Sequence, residues 1–324
     1  MSWSNSDIIE VPKSYATGSE SHIRVSNHPE SAQGVTPIQI VALNRPEKLN
    51  AITSHMLENL IKFFTTVNVD DRVKVVILTG TGRVFSAGID LKEDSSTIKG
   101  LPVNVARDPG GTLALAMYNC SKVVIVAYNG LSIGIGMTST LAAAIRLAPA
   151  KAEFGFPFAR IGLTMESCSS FFLPRMIGYS NATYLLATGK RFPAESSVFH
   201  GLFAELLPRP EDVLPRALAL ADDILQNVSP MAIHLNRNLI WRNGETAEAA
   251  HLIDSPVLAD MFGGEATELI LDRDHAEYKT AFFTKQLPNY KDTLNKNAPR
   301  SYPWWKEVSI KSLPRAAPWI STKL

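Results

Sequence analysis

The sequence predicts an α/β protein built on a mostly parallel sheet, and three observations carry that prediction. Residues 37–43 (PIQIVAL), 73–78 (VKVVIL) and 123–127 (VVIVA) are short apolar runs that stop at polar or glycine-containing turns. Runs of that kind read as strands buried on both faces. Helical patterns separate them, and after residue 165 the strand signals fade and helices take over. Alternating strands and helices imply right-handed crossovers, with ligands bound where strands run into glycine turns.

The elements follow in order. Residues 1–34 are rich in Ser, Asn and Glu and read as a mobile arm, with one strand at 23–26. Asn44-Arg45-Pro46-Glu47-Lys48 breaks the first buried strand. Thr53 then caps a helix over 55–67 whose apolar side carries Met56, Leu57, Leu60, Ile61, Phe63 and Phe64. The second strand ends at Thr79-Gly80-Thr81-Gly82, and the turn Phe85-Ser86-Ala87-Gly88-Ile89-Asp90 follows. Residues 92–111 read as a loop and 112–119 as a helix. The third strand leads into a second glycine turn, Asn129 to Gly136, and a small-residue helix at 137–144. Further helices are expected at 169–188, 211–227, 230–242, 245–262 and 265–285. The tail beyond 285 holds five prolines and three of the five tryptophans, too aromatic for a plain disordered segment, and is expected to pack on the assembled oligomer. The organisation is therefore an N-terminal arm (1–34), a β/α core (35–210), a helical region (211–290) and a C-terminal extension (291–324).

Composition excludes broad classes. The 324 residues carry 32 Lys+Arg against 31 Asp+Glu, a net charge of +1. That lacks the basic excess of a general nucleic-acid binder or a polybasic membrane-surface protein. Two cysteines make no disulfide scaffold, and the seven histidines show no paired spacing, so no metal is expected. No stretch approaches the ~20 apolar residues that span a bilayer. The first residues lack the basic run and apolar stretch of a secretory signal. The terminal Thr322-Lys323-Leu324 is close to the S-K-L peroxisomal address, which points to peroxisomes, with the cytoplasm as the other expectation.

Two chemistries compete at the glycine turns. Gly130-Leu131-Ser132-Ile133-Gly134 matches the G-x-S-x-G of a hydrolase nucleophile elbow between strand and helix. No H-G-G-G-type oxyanion loop precedes it, and His200, His234, His251 and His275 sit in undistinguished settings. The bland reading is a tight turn in which Ser132 is simply small. In the second chemistry each turn points a backbone N–H into one pocket, forming an oxyanion hole. Composition alone does not decide between them.

Three segments carry a resemblance. Leu43 through Ala51 (LNRPEKLNA), Phe85 through Lys92 (FSAGIDLK) and Asn129 through Gly136 (NGLSIGIG) resemble, in order and spacing, the motifs of the crotonase (enoyl-CoA hydratase/isomerase) superfamily. The resemblance covers residues 35–290. It implies a crotonase-like spiral of ββα units, a helical C-terminal trimerisation region, a homotrimer or dimer of trimers, and an acyl-CoA substrate. Coenzyme A would then be part of the substrate, and no separate cofactor is expected. The resemblance assigns the oxyanion N–H groups to Ile89 and Ile135.

The reaction turns on carboxylates. Hydration needs two acid/base groups. Where family hydratases carry glutamates, this chain has Thr138 and Phe158. Phe156 through Ser170 (FPFARIGLTMESCSS) instead resembles the Δ3,Δ2-enoyl-CoA isomerases, above all the peroxisomal type of fatty-acid β-oxidation. That resemblance makes Glu166 the single catalytic base, with a helix N-terminus favouring its ionised form. Read without the resemblance, Glu166 is a surface glutamate at a helix start. Cys168 reads as a small buried thiol rather than a nucleophile. The carry-over places CoA contacts at Lys48, Leu49, Ala87 and Leu91. On a C-terminal helix it adds Phe282 and Lys285, often beside a neighbouring subunit; a solvated lysine is the alternative for Lys285. Two rivals stand beside the isomerase: a hydratase or dehydratase of a fatty-acid or secondary-metabolite pathway, and a non-catalytic acyl-CoA-binding subunit.

Overall fold

The computed structural model describes residues 9–92, 102, 106–262, 273–291, 293–299 and 301–305. The strands are β1 (Ile23–His28), β2 (Ile38–Leu43), β3 (Val75–Gly80), β4 (Val123–Ala127), β5 (Ser132–Ile133), β6 (Ile145–Pro149), β7 (Glu153–Gly155), β8 (Arg191–Pro193) and β9 (Glu205–Leu207). The helices are α1 (Ser54–Val69), α2 (Pro109–Asn119), α3 (Ile135–Thr138), α4 (Ser169–Thr188), α5 (Pro210–Asn227), α6 (Pro230–Trp241), α7 (Ala247–Met261), α8 (Arg273–Thr284) and α9 (Leu294–Asn297).

Six strands form one sheet in the order β1-β2-β3-β4-β6-β9. Within this sheet only the β1–β2 pair is antiparallel. The short strands β5, β7 and β8 make a second sheet. As the chain advances it feeds one sheet and then the other, β4 then β5, β6 then β7, which is the ββα spiral expected from the resemblance. Both faces of the large sheet are covered. Val76, Leu78, Val124 and Val126 point into a core shared with α1, α2 and α4, while Val75, Ile77, Val123 and Ile125 meet Val213, Ala217 and Ala221 of α5. This two-sided burial explains the uninterrupted apolar runs.

Several expectations are corrected. The arm is not mobile throughout. Tyr15 is buried and donates to Asp70 (3.0 Å), and β1 pairs along β2 from Ile23↔Leu43 to His28↔Ile38. The loop read at 92–111 already contains the start of α2, which begins at Pro109 under an Asp108 cap. The helix expected over 137–144 is the single turn α3, after which buried small residues continue in turns. α4 is interrupted at Gly178. In the C-terminal extension, Tyr302 meets His234 of α6 and the Trp304 indole donates to the Arg242 carbonyl (2.9 Å). Its described part therefore packs on helices of its own chain. Trp319 and Thr322-Lys323-Leu324 lie outside the described residues. Among the described residues no helix is long and apolar enough to cross a membrane.

Candidate active site

The parallel strands β3 and β4 end side by side, so the two glycine turns that follow them are sewn together. The Phe85 and Ser86 N–H groups both donate to the Leu131 carbonyl (3.0 and 3.1 Å), and the Ile133 N–H donates to the Ser86 carbonyl (3.1 Å). Gly88 has φ +95, a conformation L side chains resist, and a Cβ there would stand 3.2 Å from the Ile133 oxygen. Ile89 forms a bridge with Ile52: the Ile52 N–H donates to Gly88, and the Asp90 N–H donates to Ile52. That pattern turns the Ile89 N–H to the opposite side. Gly134, also at positive φ (+55), delivers Ile135 as the first residue of α3. Neither the Ile89 nor the Ile135 N–H donates to a main-chain acceptor among the described residues.

The first motif supports this arrangement. Buried Asn50 accepts from the Arg45 N–H (2.8 Å) and donates to the Thr81 and Val84 carbonyls (2.8 and 2.9 Å). Arg45 pairs with Asp90 at 2.9 Å, and that guanidinium holds the Asp90 carboxyl below its ordinary range. The Ala87 N–H donates to the Leu49 carbonyl (2.9 Å), which ties the first motif to the turn carrying Ala87, and Leu91 beyond that turn is 80% exposed. Phe282 and Lys285 lie at the C-terminal end of α8. Phe282 stacks on Tyr278 and Phe283, and Lys285 is exposed just past the end of α8.

Glu166 lies three residues before α4, in a turn where Ser167 and Cys168 both have φ 56. Its Oε1 accepts from the Thr138 hydroxyl of α3 and its Oε2 from the Ser167 hydroxyl. Thr138 is therefore a hydrogen-bond donor to Glu166. Gly110 of α2 lies against this group: a Cβ there would strike Ser167 Oγ and Glu166 Oε2 and stand 3.1 Å from Ile135 Cδ1. One glycine thus borders both the carboxylate and the Ile135 side chain. Burial pushes the Glu166 carboxyl above its ordinary range, the two hydroxyl donors pull it back, and the charge of Asp108 adds to the rise.

The other readings meet obstacles. Ser132 is fully buried and its Oγ has no hydrogen-bond partner, so no histidine activates it. Phe158 is buried in the core. Cys168 is half-buried, and burial pushes its thiol up, away from a reactive thiolate. A cavity of about 500 Å³ between α6, α7 and α8 is lined by none of the residues of the two turns.

The sequence does not mark Asp108 or Gly110 as site residues, and it marks Thr138 only as the place of an absent glutamate and Ser167 only as a small residue at the start of a helix. Asp108-Pro109 carried a usable signal, an N-cap residue with proline at the first helical position, but the neighbouring glycines made the segment read as loop.

A spiral of this kind, with two glycine turns stitched together and a buried carboxylate beside α3, defines a class, and comparison with known proteins identifies it. The enoyl-CoA hydratase/isomerase family profile matches residues 31–292, and the chain belongs to that family. It is 37% identical over 285 residues to the enoyl-CoA hydratase ACTT3 of Alternaria alternata, covering 88% of this chain and 92% of that one. It is 28% identical over 265 residues to the mevalonyl-coenzyme A hydratase SIDH of Beauveria bassiana, covering 79% and 92%. Among solved structures, an enoyl-CoA hydratase from Bacillus anthracis superposes with a TM-score of 0.69 at 26% identity, over 83% of this chain and 99% of that one.

Proposed function

We propose that this enzyme moves the double bond of an enoyl-CoA from C3–C4 to C2–C3. The observation that supports the reading most is the carboxylate arrangement. Glu166 stands beside Ile135, while Thr138 and Phe158 occupy the places from which a second glutamate would act. The thioester oxygen lies between the Ile89 and Ile135 N–H groups. Glu166 removes a proton from C2, the negative charge spreads onto the thioester oxygen, and the two donors stabilise it. Glu166 then returns the proton at C4. One base serves both steps because the two carbons are two bonds apart on one face of the chain. A carboxyl raised by burial is a stronger base than an exposed one, which suits proton abstraction from carbon. Lys48, Leu49, Ala87 and Leu91 line the CoA approach in this reading. Phe282 and Lys285 join it from a neighbouring subunit of a trimer.

Relatives named as hydratases favour a second reading, in which Glu166 is the base for hydration or dehydration. Assays with 3-enoyl-CoA and 2-enoyl-CoA side by side separate the two. We expect 3-enoyl-CoA to be converted without a change in mass, and Glu166→Gln to reduce turnover by about 100-fold or more. Turnover of 3-enoyl-CoA that survives Glu166→Gln overturns the isomerase mechanism. Gain of a water by 2-enoyl-CoA supports the hydratase reading. Binding of acyl-CoA without turnover marks a non-catalytic subunit.

A further inference from the structure

A second carboxylate, which the proposed mechanism does not use, stands next to the base. Asp108 caps α2, and a cap needs no more than an oxygen facing the helix, which Ser or Asn supplies equally well. Asp108 does more than that. Its Oδ1 accepts from Gly111 N at 2.5 Å and also, across 59 residues of chain, from Ser167 N at 3.3 Å. Ser167 is the residue whose hydroxyl holds Glu166 Oε2. Within the turn, Ser169 N and Ser169 Oγ both donate back to the Glu166 carbonyl, at 3.0 and 2.5 Å. Ser167 and Cys168 are both left-handed, a conformation that non-glycine residues hold only when their surroundings impose it. Asp108 thus supplies an anchor for that turn from outside it.

We propose that Asp108 is a positioning residue for Glu166: it ties the start of α2 to the turn that carries the base and sets a second negative charge against it. The inference rests on Glu166 being the base. Few other groups compete for this effect. Cys168, at the cap of α4, feels both carboxylates, and α3 presents Thr138 and Ile135 but nothing charged. The negative charge of Asp108 disfavours a second ionised carboxylate beside it, so Glu166 keeps its proton to higher pH than it otherwise would.

Two substitutions divide the roles. Asp108→Asn retains an oxygen for both N–H groups and removes the charge. Asp108→Ser retains the cap but is too short to reach Ser167. For Asn we expect the acid limb of the pH–kcat/KM profile to move to lower pH, with KM for the acyl-CoA little changed. For Ser we expect kcat to fall about tenfold or more, since a misplacement near 1 Å costs up to ~100-fold. The Glu166 carboxyl is also titrated directly by 13C NMR on labelled protein, with Glu166→Gln identifying its resonance. It should titrate at lower pH in Asp108→Asn than in wild type, whether or not the enzyme is an isomerase. An unmoved Glu166 titration in Asp108→Asn together with wild-type kcat in Asp108→Ser overturns the proposal and leaves Asp108 a helix cap. Failure of the base assignment shows separately, as turnover that survives Glu166→Gln.

Discussion

At the scale of single residues, the site depends on the absence of atoms as much as on their presence. Gly110 is buried in the first turn of α2, where glycine costs the helix less than in its interior. Its neighbours explain the choice: the atoms a Cβ would meet are the side-chain ends of Ser167, Glu166 and Ile135. The Glu166 and Ile135 ends can turn aside but the buried Ser167 hydroxyl has less room, so Gly110→Ala should lower the melting temperature only modestly. The same movement displaces the base, and kcat should fall about 10- to 100-fold. Thermal unfolding and steady-state kinetics on one preparation check both halves. Loss of activity in parallel with loss of fold would count against this account. Glu166 was legible in the sequence because a resemblance singled it out. Its partners were not, because Thr138, Asp108 and Gly110 lie 28 to 58 positions away and meet it only through the fold. A threonine where a glutamate was expected reads as a loss, and only the hydrogen bond to Glu166 gives it a role.

At the scale of elements, legibility followed length and burial. The strands covered on both faces stood out as apolar runs, and α1 was marked by its Thr53 cap, which accepts from Met56 N at 3.0 Å. The strands β5, β7, β8 and β9 have two or three residues each, too few for any period to register. α2 shows how a supporting element is held in place. Its N-terminus faces Glu166 through Asp108 and Gly110, while its C-terminal carbonyls are gathered by α6. The Arg237 guanidinium donates to the Met117 and Cys120 carbonyls (3.3 and 3.2 Å) and to Ala142 (2.9 Å). A cation at that end also complements the helix dipole. Arg237→Met keeps much of the bulk and leaves three carbonyls without this donor. We expect it to lower unfolding stability by about 2–3 kcal/mol, read as a lower denaturant midpoint at constant m-value. Since α2 also borders the base, kcat should drop in the variant at temperatures where it remains folded.

At the scale of the whole molecule, a buried histidine of the helical region is one of the groups that hold the C-terminal extension. His234 Nε2 lies 3.1 Å from the Tyr302 hydroxyl and 3.0 Å from Asn238 Nδ2. Trp304 bonds the Arg242 carbonyl, and the Arg242 guanidinium sits 3.9 Å over the Trp305 ring. His234 is 4% exposed, and burial, followed by the charges of Arg237, Arg242 and Lys122, pushes its pKa from 6.5 down to about 3. The sign of the consequence follows. In the unfolded chain the imidazole takes up a proton as pH falls through 6.5, while in the folded chain it stays neutral until about 3. The stability that a neutral His234 permits is complete above 6.5 and is lost as pH falls through that window, at up to ~1.4 kcal/mol per pH unit. Other groups titrate over the same range, so the decisive quantity is a difference between two proteins. His234→Gln keeps a polar end toward Tyr302 and has no proton to gain. Denaturant unfolding of wild type and His234→Gln at pH 7 and pH 5 should show a smaller loss in the variant. Tryptophan fluorescence follows the same event from the side of the extension, because protonated His234 would be repelled by Arg237 and Arg242 and loosen the contact with Tyr302 and Trp304. Equal losses in the two proteins would mean that the imidazole titrates normally in the fold, and that the extension is held without it.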